Sequence, residues 1–139
     1  MLLGELITLR QLHLPVKVIV FNNGALSFVE LEMKAAGIVN YGTELDNPDF
    51  AGIARAVGLF GATVERSEQL EGALQAAFAH DGPALIDVRV ARQELALPPK
   101  VTLEQAKGFS IFAIRTILSG GGGELVELAK TNLRQLAKE

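Results

Sequence analysis

No cysteine occurs in the 139 residues, which excludes disulfides, thiolate zinc sites, iron–sulfur clusters and cysteine nucleophiles. An excess of positive charge is also missing: thirteen Lys+Arg stand against sixteen Asp+Glu, a formal net charge of −3. A chain with that balance lacks the electrostatic footprint of a nucleic-acid binder. No uninterrupted apolar run approaches the ~20 residues needed to cross a bilayer. The opening Met1-Leu2-Leu3-Gly4-Glu5 has no basic n-region of a secretory leader, which points to the cytoplasm. Only two histidines are present, His13 and His80, and neither has an acidic cluster at ligand spacing around it. Apolar side chains are plentiful. With 49% hydrophobic and 21% charged residues, the chain reads as a folded globule and not as a disordered segment. A domain of this length buries roughly two thirds of the surface its unfolded chain exposes, so the core needs no metal or disulfide staple.

Periodicity divides the chain into alternating elements. Leu2, Leu3, Leu6, Ile7, Leu9 and Leu12 recur at helical spacing, and Pro15 ends that helix. The run Val16-Lys17-Val18-Ile19-Val20-Phe21 is short, β-branched and almost wholly apolar, as expected of a parallel strand covered on both faces. Helices are predicted over about 26–36 and again after Asp46-Asn47-Pro48-Asp49, where a capping side chain precedes proline at the first helical position and capping explains both Asp46 and Asp49 better than a metal does. Residues 61–65 and 84–90 read as further strands, with a helix between them capped by Ser67 and ending at His80. The prediction is an α/β fold, a parallel sheet flanked by helices. Beyond Val90 the pattern changes: Leu97-Pro98-Pro99 reads as extended and 102–117 as a helix interrupted near Gly108. Gly120 to Gly123 reads as a hinge, and an amphipathic tail follows with Leu125, Leu128, Ala129, Leu133, Leu136 and Ala137 on one face.

Ligands of doubly wound sheets bind beyond the carboxyl ends of the strands, and Asn22-Asn23-Gly24 stands there after the most apolar strand. An asparagine carboxamide oxygen and a neighbouring backbone carbonyl are hard, neutral ligands suited to magnesium. The N–H groups opening the next helix favour a phosphate. On these residues alone, a plain turn is the better explanation of the tripeptide.

The surrounding residues carry a resemblance. Gly4-Glu5-Leu6 and Leu14-Pro15-Val16-Lys17-Val18-Ile19-Val20-Phe21-Asn22-Asn23 resemble the second half of the thiamin-diphosphate motif, which opens with Gly-Asp-Gly and closes with Asn-Asn. Ser27-Phe28-Val29-Glu30-Leu31-Glu32-Met33-Lys34, Gly42-Thr43-Glu44-Leu45 and Asp81-Gly82-Pro83-Ala84-Leu85-Ile86-Asp87-Val88 look like the pyruvate oxidase and quinone-dependent pyruvate dehydrogenase branch. So does Leu103-Glu104-Gln105-Ala106-Lys107-Gly108-Phe109-Ser110. The resemblance implies that Asn23 gives its side-chain oxygen, and Ala25 its backbone carbonyl, to magnesium, with Leu26 beside the diphosphate. It also implies that Phe28 and Glu32 face the thiazolium and the substrate adduct, on one helical face at i and i+4. On residues alone, Phe28 reads better as a core phenylalanine and Glu32 as a solvated helix residue. The implied enzyme decarboxylates pyruvate to acetate and carbon dioxide with thiamin diphosphate and magnesium, passing electrons through FAD to a quinone. Acetolactate synthase shares the motif and is the second enzymatic reading; a non-catalytic oligomerisation module is a third.

The sequence departs from the family pattern in several places. The Gly-Asp-Gly half is missing, so its aspartate, a magnesium ligand in the family, would lie just before Met1. The glutamate that activates the cofactor belongs to another domain supplied by a partner subunit, and the FAD domain is absent. Ser27 stands where the family often has glycine. The expectation is a carboxy-terminal piece of a three-domain enzyme. In it, 1–95 is a thiamin-diphosphate and magnesium domain lacking its first strand, and 96–139 is an extension with its hinge at 120–123. The resemblance also implies a homo-oligomer and a peripheral association with the inner face of the cell membrane through 124–139. That tail carries three acidic and three basic residues (Glu124, Glu127, Glu139; Lys130, Arg134, Lys138), so lipid binding would rest on apolar burial; the alternative is a helix packed on its own or a neighbouring subunit. Without the carboxylate ligand magnesium keeps its waters, and a missing first strand leaves an open sheet edge. The isolated chain is therefore expected to bind thiamin diphosphate poorly and to self-associate. Calorimetric titration checks the first point, and micromolar, magnesium-dependent binding by this chain alone would contradict it.

Overall fold

Three short strands pair in parallel: β1 (Lys17–Asn22), β2 (Phe60–Val64) and β3 (Ala84–Arg89), in the order β1-β3-β2. In register, Lys17 and Phe60 flank Ala84, while Val20 and Thr63 flank Asp87. The structure, a computed structural model, describes residues 3–92 and 102–136. The expected extended stretch at Leu97-Pro98-Pro99, the start of the first helix at Leu2, the tail end at Ala137 to Glu139, and the side chains of Leu133 and Leu136 lie outside what is described. The parallel sheet flanked by helices is the α/β architecture the sequence predicts.

The chain divides into two compact units. The first comprises Met1–Asn23 and Asp46–Val90 and holds the sheet. It also holds α1 (Glu5–Gln11), α3 (Phe50–Ala56) and α4 (Leu70–Ala79). Its central strand β3 is apolar on both faces because each face is covered. Ala84, Ile86 and Val88 pack with Val64 and with Ala77 of α4, while Leu85 packs with Leu6 of α1, Ala54 of α3 and Leu59. β1 departs from the expectation of two covered faces. Val18 and Val20 pack inward, but Ile19 and Phe21 on the other side are exposed, Phe21 by 74%. The reason is position: β1 is an edge strand, and α4 lies over β2 and β3.

Two helix starts also differ from the expected caps. Asp49 caps α3, as expected of it, by accepting from the Gly52 N–H at 2.8 Å, whereas the side chain before Pro48 does not cap. That leaves Asn47 available for another task described below. A single 3₁₀ turn (Ser67–Gln69) precedes α4, and the Ser67 hydroxyl bonds Glu68 and so does not cap. Instead the Gln69 side chain accepts from the N–H groups of Glu65 and Arg66 at 2.9 and 3.0 Å. His80 is the residue that ends α4, as predicted, and Lys17 of β1 donates to the carbonyls of His80 and Gly82 just beyond it.

The second unit comprises Gly24–Leu45 and the described part of the chain after Val90. Its helices are α2 (Ser27–Ala35), α5 (Leu103–Leu118) and α6 (Gly122–Leu136). Gly37 ends α2 with φ 73°, the left-handed conformation that glycine adopts without strain. α5 opens on a reciprocal cap, in which the Thr102 hydroxyl accepts from Gln105 N–H and the Gln105 side chain accepts from Thr102 N–H. It then runs unbroken through Gly108. The expected interruption is absent because this glycine serves packing: a Cβ there would collide with the Ala35 carbonyl of α2. The expected 120–123 hinge is shorter too, since Gly122 and Gly123 already belong to α6. Among the described residues no helix is long and apolar enough to cross a membrane.

Two helical glycines should therefore respond oppositely to one substitution. Gly108→Ala forces α2 and α5 apart and should cost several kcal/mol, as overpacking between rigid backbones does (~1–3 kcal/mol or more). Gly72→Ala in α4 meets nothing within 4 Å and should stabilise by about 0.5–1 kcal/mol. Urea denaturation of the two variants checks the pair.

Candidate functional site

β1 delivers Asn22 to the carboxyl rim of the sheet, where its side chain is 5% exposed. Its Oδ1 accepts from Asn47 Nδ2 at 2.9 Å, and its backbone carbonyl accepts from Val90 N–H at 3.1 Å. Its Nδ2 has no hydrogen-bond partner among the described residues. Two positions back in the register of β3, Asp87 is fully buried. The Arg89 guanidinium stands 3.2 Å from it, close enough for charge attraction but not aligned as a hydrogen bond to either oxygen. Asn22 is thus the anchored member of the Asn-Asn pair. Asn23, half-buried, is the member toward solvent.

In the second unit, the chain resumes at Gly24 with φ 67° and forms a short antiparallel bridge, Ala25 opposite Glu44. Leu26 N–H donates to the Thr43 carbonyl and Leu45 N–H to the Gly24 carbonyl, both at 2.9 Å. These bonds flank the Ala25–Glu44 pair, so the bridge does not use the Ala25 carbonyl. Ala25 is buried, whereas Leu26 is 45% exposed. α2 then turns Phe28 and Glu32 to its open side, with Phe28 75% exposed. A core position for Phe28 is thereby ruled out.

The opposite face of α2 is charged and buried, which the sequence reading missed. Glu30 is 3% and Lys34 1% exposed. Glu30 accepts from the Thr43 hydroxyl at 2.9 Å and from Arg92 at 3.0 Å, and Lys34 Nζ stands 3.7 Å away. Arg92 also pairs with Glu44 at 3.0 Å, and Lys34 lies over the Phe112 ring at 5.4 Å. The hydrogen bond to Glu30 is the main cause that pushes the Arg92 guanidinium above its already high pKa, against the lowering effect of burial, with Glu44 adding to the rise. Arg92 therefore stays charged at any pH the fold tolerates. An i,i+4 Glu–Lys pair was visible in the sequence as a helix-surface motif. Its burial was not visible, because the partner that compensates Glu30 lies 62 residues away. A cleft of about 560 Å³ opens beside this network, running from the 40–44 loop to Arg92 and Glu127.

The donor types fit a magnesium–diphosphate group in part. Asparagine and backbone oxygens are hard and neutral, as magnesium prefers, but they need an anionic companion. Among the described residues no cluster of three His, Cys, Asp or Glu could hold a metal alone. A diphosphate would bring that charge itself.

Removing Arg92 should be costly even though its own side chain is 37% exposed, because the charge of buried Glu30 would be met only by the Thr43 hydroxyl and the more distant Lys34. Arg92→Met is expected to lose about 2–4 kcal/mol by chemical denaturation, toward the lower end of what breaking a buried pair costs. Arg92→Lys should recover only part, since an ammonium lacks the fork that bridges Glu30 and Glu44.

Comparison with known proteins agrees with this arrangement. Residues 1–88 match the family model described as thiamine pyrophosphate enzyme, C-terminal TPP binding domain. The chain is 34% identical over 131 residues to YdaP of Bacillus subtilis (strain 168), provisionally named as thiamine pyrophosphate-containing; the match covers 94% of this chain and 23% of YdaP. It is 33% identical over 96 residues to the acetolactate synthase isozyme 2 large subunit of Escherichia coli (strain K12), covering 68% of this chain and 18% of that protein. The mitochondrial acetolactate synthase catalytic subunit of Saccharomyces cerevisiae is 33% identical over 99 residues, 70% of this chain and 14% of that one. The chain thus spans less than a quarter of the length of these curated relatives. The match over residues 1–88, on a parallel sheet whose edge strand β1 ends at Asn22, places this chain in the thiamine pyrophosphate enzyme family, as its C-terminal TPP-binding domain.

Proposed function

We propose that this domain holds the diphosphate and magnesium end of thiamin diphosphate in an enzyme that decarboxylates a 2-keto acid and joins the remaining two-carbon unit to a second keto acid, as acetolactate synthases do. The observation that carries the reading is the Asn22-Asn23-Gly24 terminus of β1, within the span that matches the family. The named synthases among the relatives support the choice of acceptor. When bound, the cofactor supplies the electron sink that lets carbon dioxide leave. The chain's own residues bind and orient. The Asn23 carboxamide oxygen and the Ala25 carbonyl are the magnesium ligands from this chain, and Leu26 lies beside the diphosphate. Phe28 shields the reacting end from water, and Glu32, one turn further along α2, manages a proton there.

A second reading keeps the oxidative chemistry, pyruvate to acetate with FAD and a quinone. What supports it is the resemblance of residues 28–32 and 103–110 to the pyruvate oxidase branch, together with the shorter reach of the Escherichia coli synthase match, which covers 96 residues where the match to YdaP covers 131. Product analysis separates the two. With pyruvate, thiamin diphosphate and magnesium, the full-length protein that carries this domain should form acetolactate without an electron acceptor; acetate formed only when a quinone analogue is reduced would favour the second reading. Asn23→Ala should raise the magnesium needed for half-maximal activity by about tenfold or more, the effect of losing one hard ligand (roughly 1.4 kcal/mol per tenfold). An unchanged requirement would remove Asn23 from the site.

A further inference from the structure

The bridge that holds Gly24 to Leu26 consists of one residue pair and two backbone hydrogen bonds. Isolated pairings of that size are not stable in water. The side chains around Glu30 add a further tie between the 42–45 loop and the start of α2. We propose that Thr43 and Glu30 are positioning residues that clamp residues 24–26 and thereby set the place of the Ala25 carbonyl; the proposal rests on the reading of that carbonyl as a magnesium ligand.

Three hydrogen bonds close a ring. Leu26 N–H donates to the Thr43 carbonyl at 2.9 Å, the Thr43 hydroxyl donates to Glu30 Oε1 at 2.9 Å, and Glu30 N–H donates to the Leu26 carbonyl at 3.0 Å. The ring joins the 42–45 loop, the start of α2 and the segment between them through both backbone and side chain. Its hub cannot swing. Glu30 and Thr43 are 3% and 2% exposed, and Arg92 grips Glu30 on one side and Glu44, the residue opposite Ala25, on the other. A buried carboxylate with charge-assisted partners is among the stiffest polar anchors a protein offers. A structural ion pair needs only Glu30, Lys34 and Arg92. The hydroxyl of Thr43 adds no charge; besides giving Glu30 a donor, it ties the loop to the hub.

Thr43→Val removes the hydroxyl at nearly constant volume and leaves every charge in place, while Thr43→Ser keeps the donor. In amide hydrogen exchange of this chain, Thr43→Val should speed the Leu26 and Leu45 amides by about tenfold, the scale of one lost hydrogen bond to a charged acceptor. The Ile86 amide of β3 should stay within about twofold, and Thr43→Ser should return Leu26 and Leu45 toward the parent rates. In the full-length protein with thiamin diphosphate, Thr43→Val should raise the half-saturating magnesium by about tenfold, with kcat at saturating magnesium nearly unchanged. Uniform acceleration of all three amides, or no acceleration, would overturn the clamp. Selective acceleration with an unmoved magnesium requirement would overturn its role in placing the carbonyl. If the unaltered protein binds no magnesium–cofactor complex, the proposed function fails; the exchange pattern then decides the clamp by itself.

Discussion

A carboxylate sealed from water must be met by donors and positive charge, and Glu30 imposes that requirement on the second unit. Thr43, Lys34 and Arg92 converge on it from the 42–45 loop, from its own helix and from the segment after the sheet. Desolvation makes each of these contacts strong and makes each partner hard to remove. Once the hub is set, α2 has only one way to face. Its charged side is inward, its buried end rests on α5 across Gly108, and its aromatic residue Phe28 is left on the open side. A helix that buries Glu and Lys while exposing Phe inverts the usual pattern, and such inversions mark surfaces kept open for chemistry or for a partner.

The first unit works on a different constraint. β3 lies between two parallel neighbours and is apolar on both faces except at Asp87, so its register fixes where β1 ends. That end is Asn22, pinned by Asn47 and by the Val90 N–H. Asn23 follows directly, so the sheet positions the asparagine pair through its most rigid part. Binding groups held on strand ends stand more firmly than groups held on free loops.

Much of this was legible in the residues. The run 16–21, the alternation of strands and helices, the end of α2 at Gly37 and the placement of Asn22-Asn23 after a strand all follow from local pattern, which local physics dictates. The misses share one cause. The role of Gly108 depends on a carbonyl 73 positions earlier in the chain, at Ala35, and the burial of Glu30 depends on Arg92; neither partner is adjacent in sequence. Which side chain of 46–49 caps α3 has the same origin, since the Asn47 amide is drawn to Asn22 while Asp49 holds the helix. Phe21 reads as part of a strand covered on both faces, yet exposure is a property of what covers a face, and periodicity cannot report that. Asn22-Asn23 stood out through a motif, whereas the buried network around Glu30 needed coordinates.

Pulsed electron paramagnetic resonance of manganese(II) substituted for magnesium bears most directly on the central claim. The sample is the full-length protein with thiamin diphosphate and asparagine labelled with ¹³C at the carboxamide. A hyperfine coupling from one asparagine carboxamide carbon, lost in Asn23→Ala, is the result the account requires. A manganese–cofactor complex that forms normally yet shows no such coupling would place the ion elsewhere and contradict it.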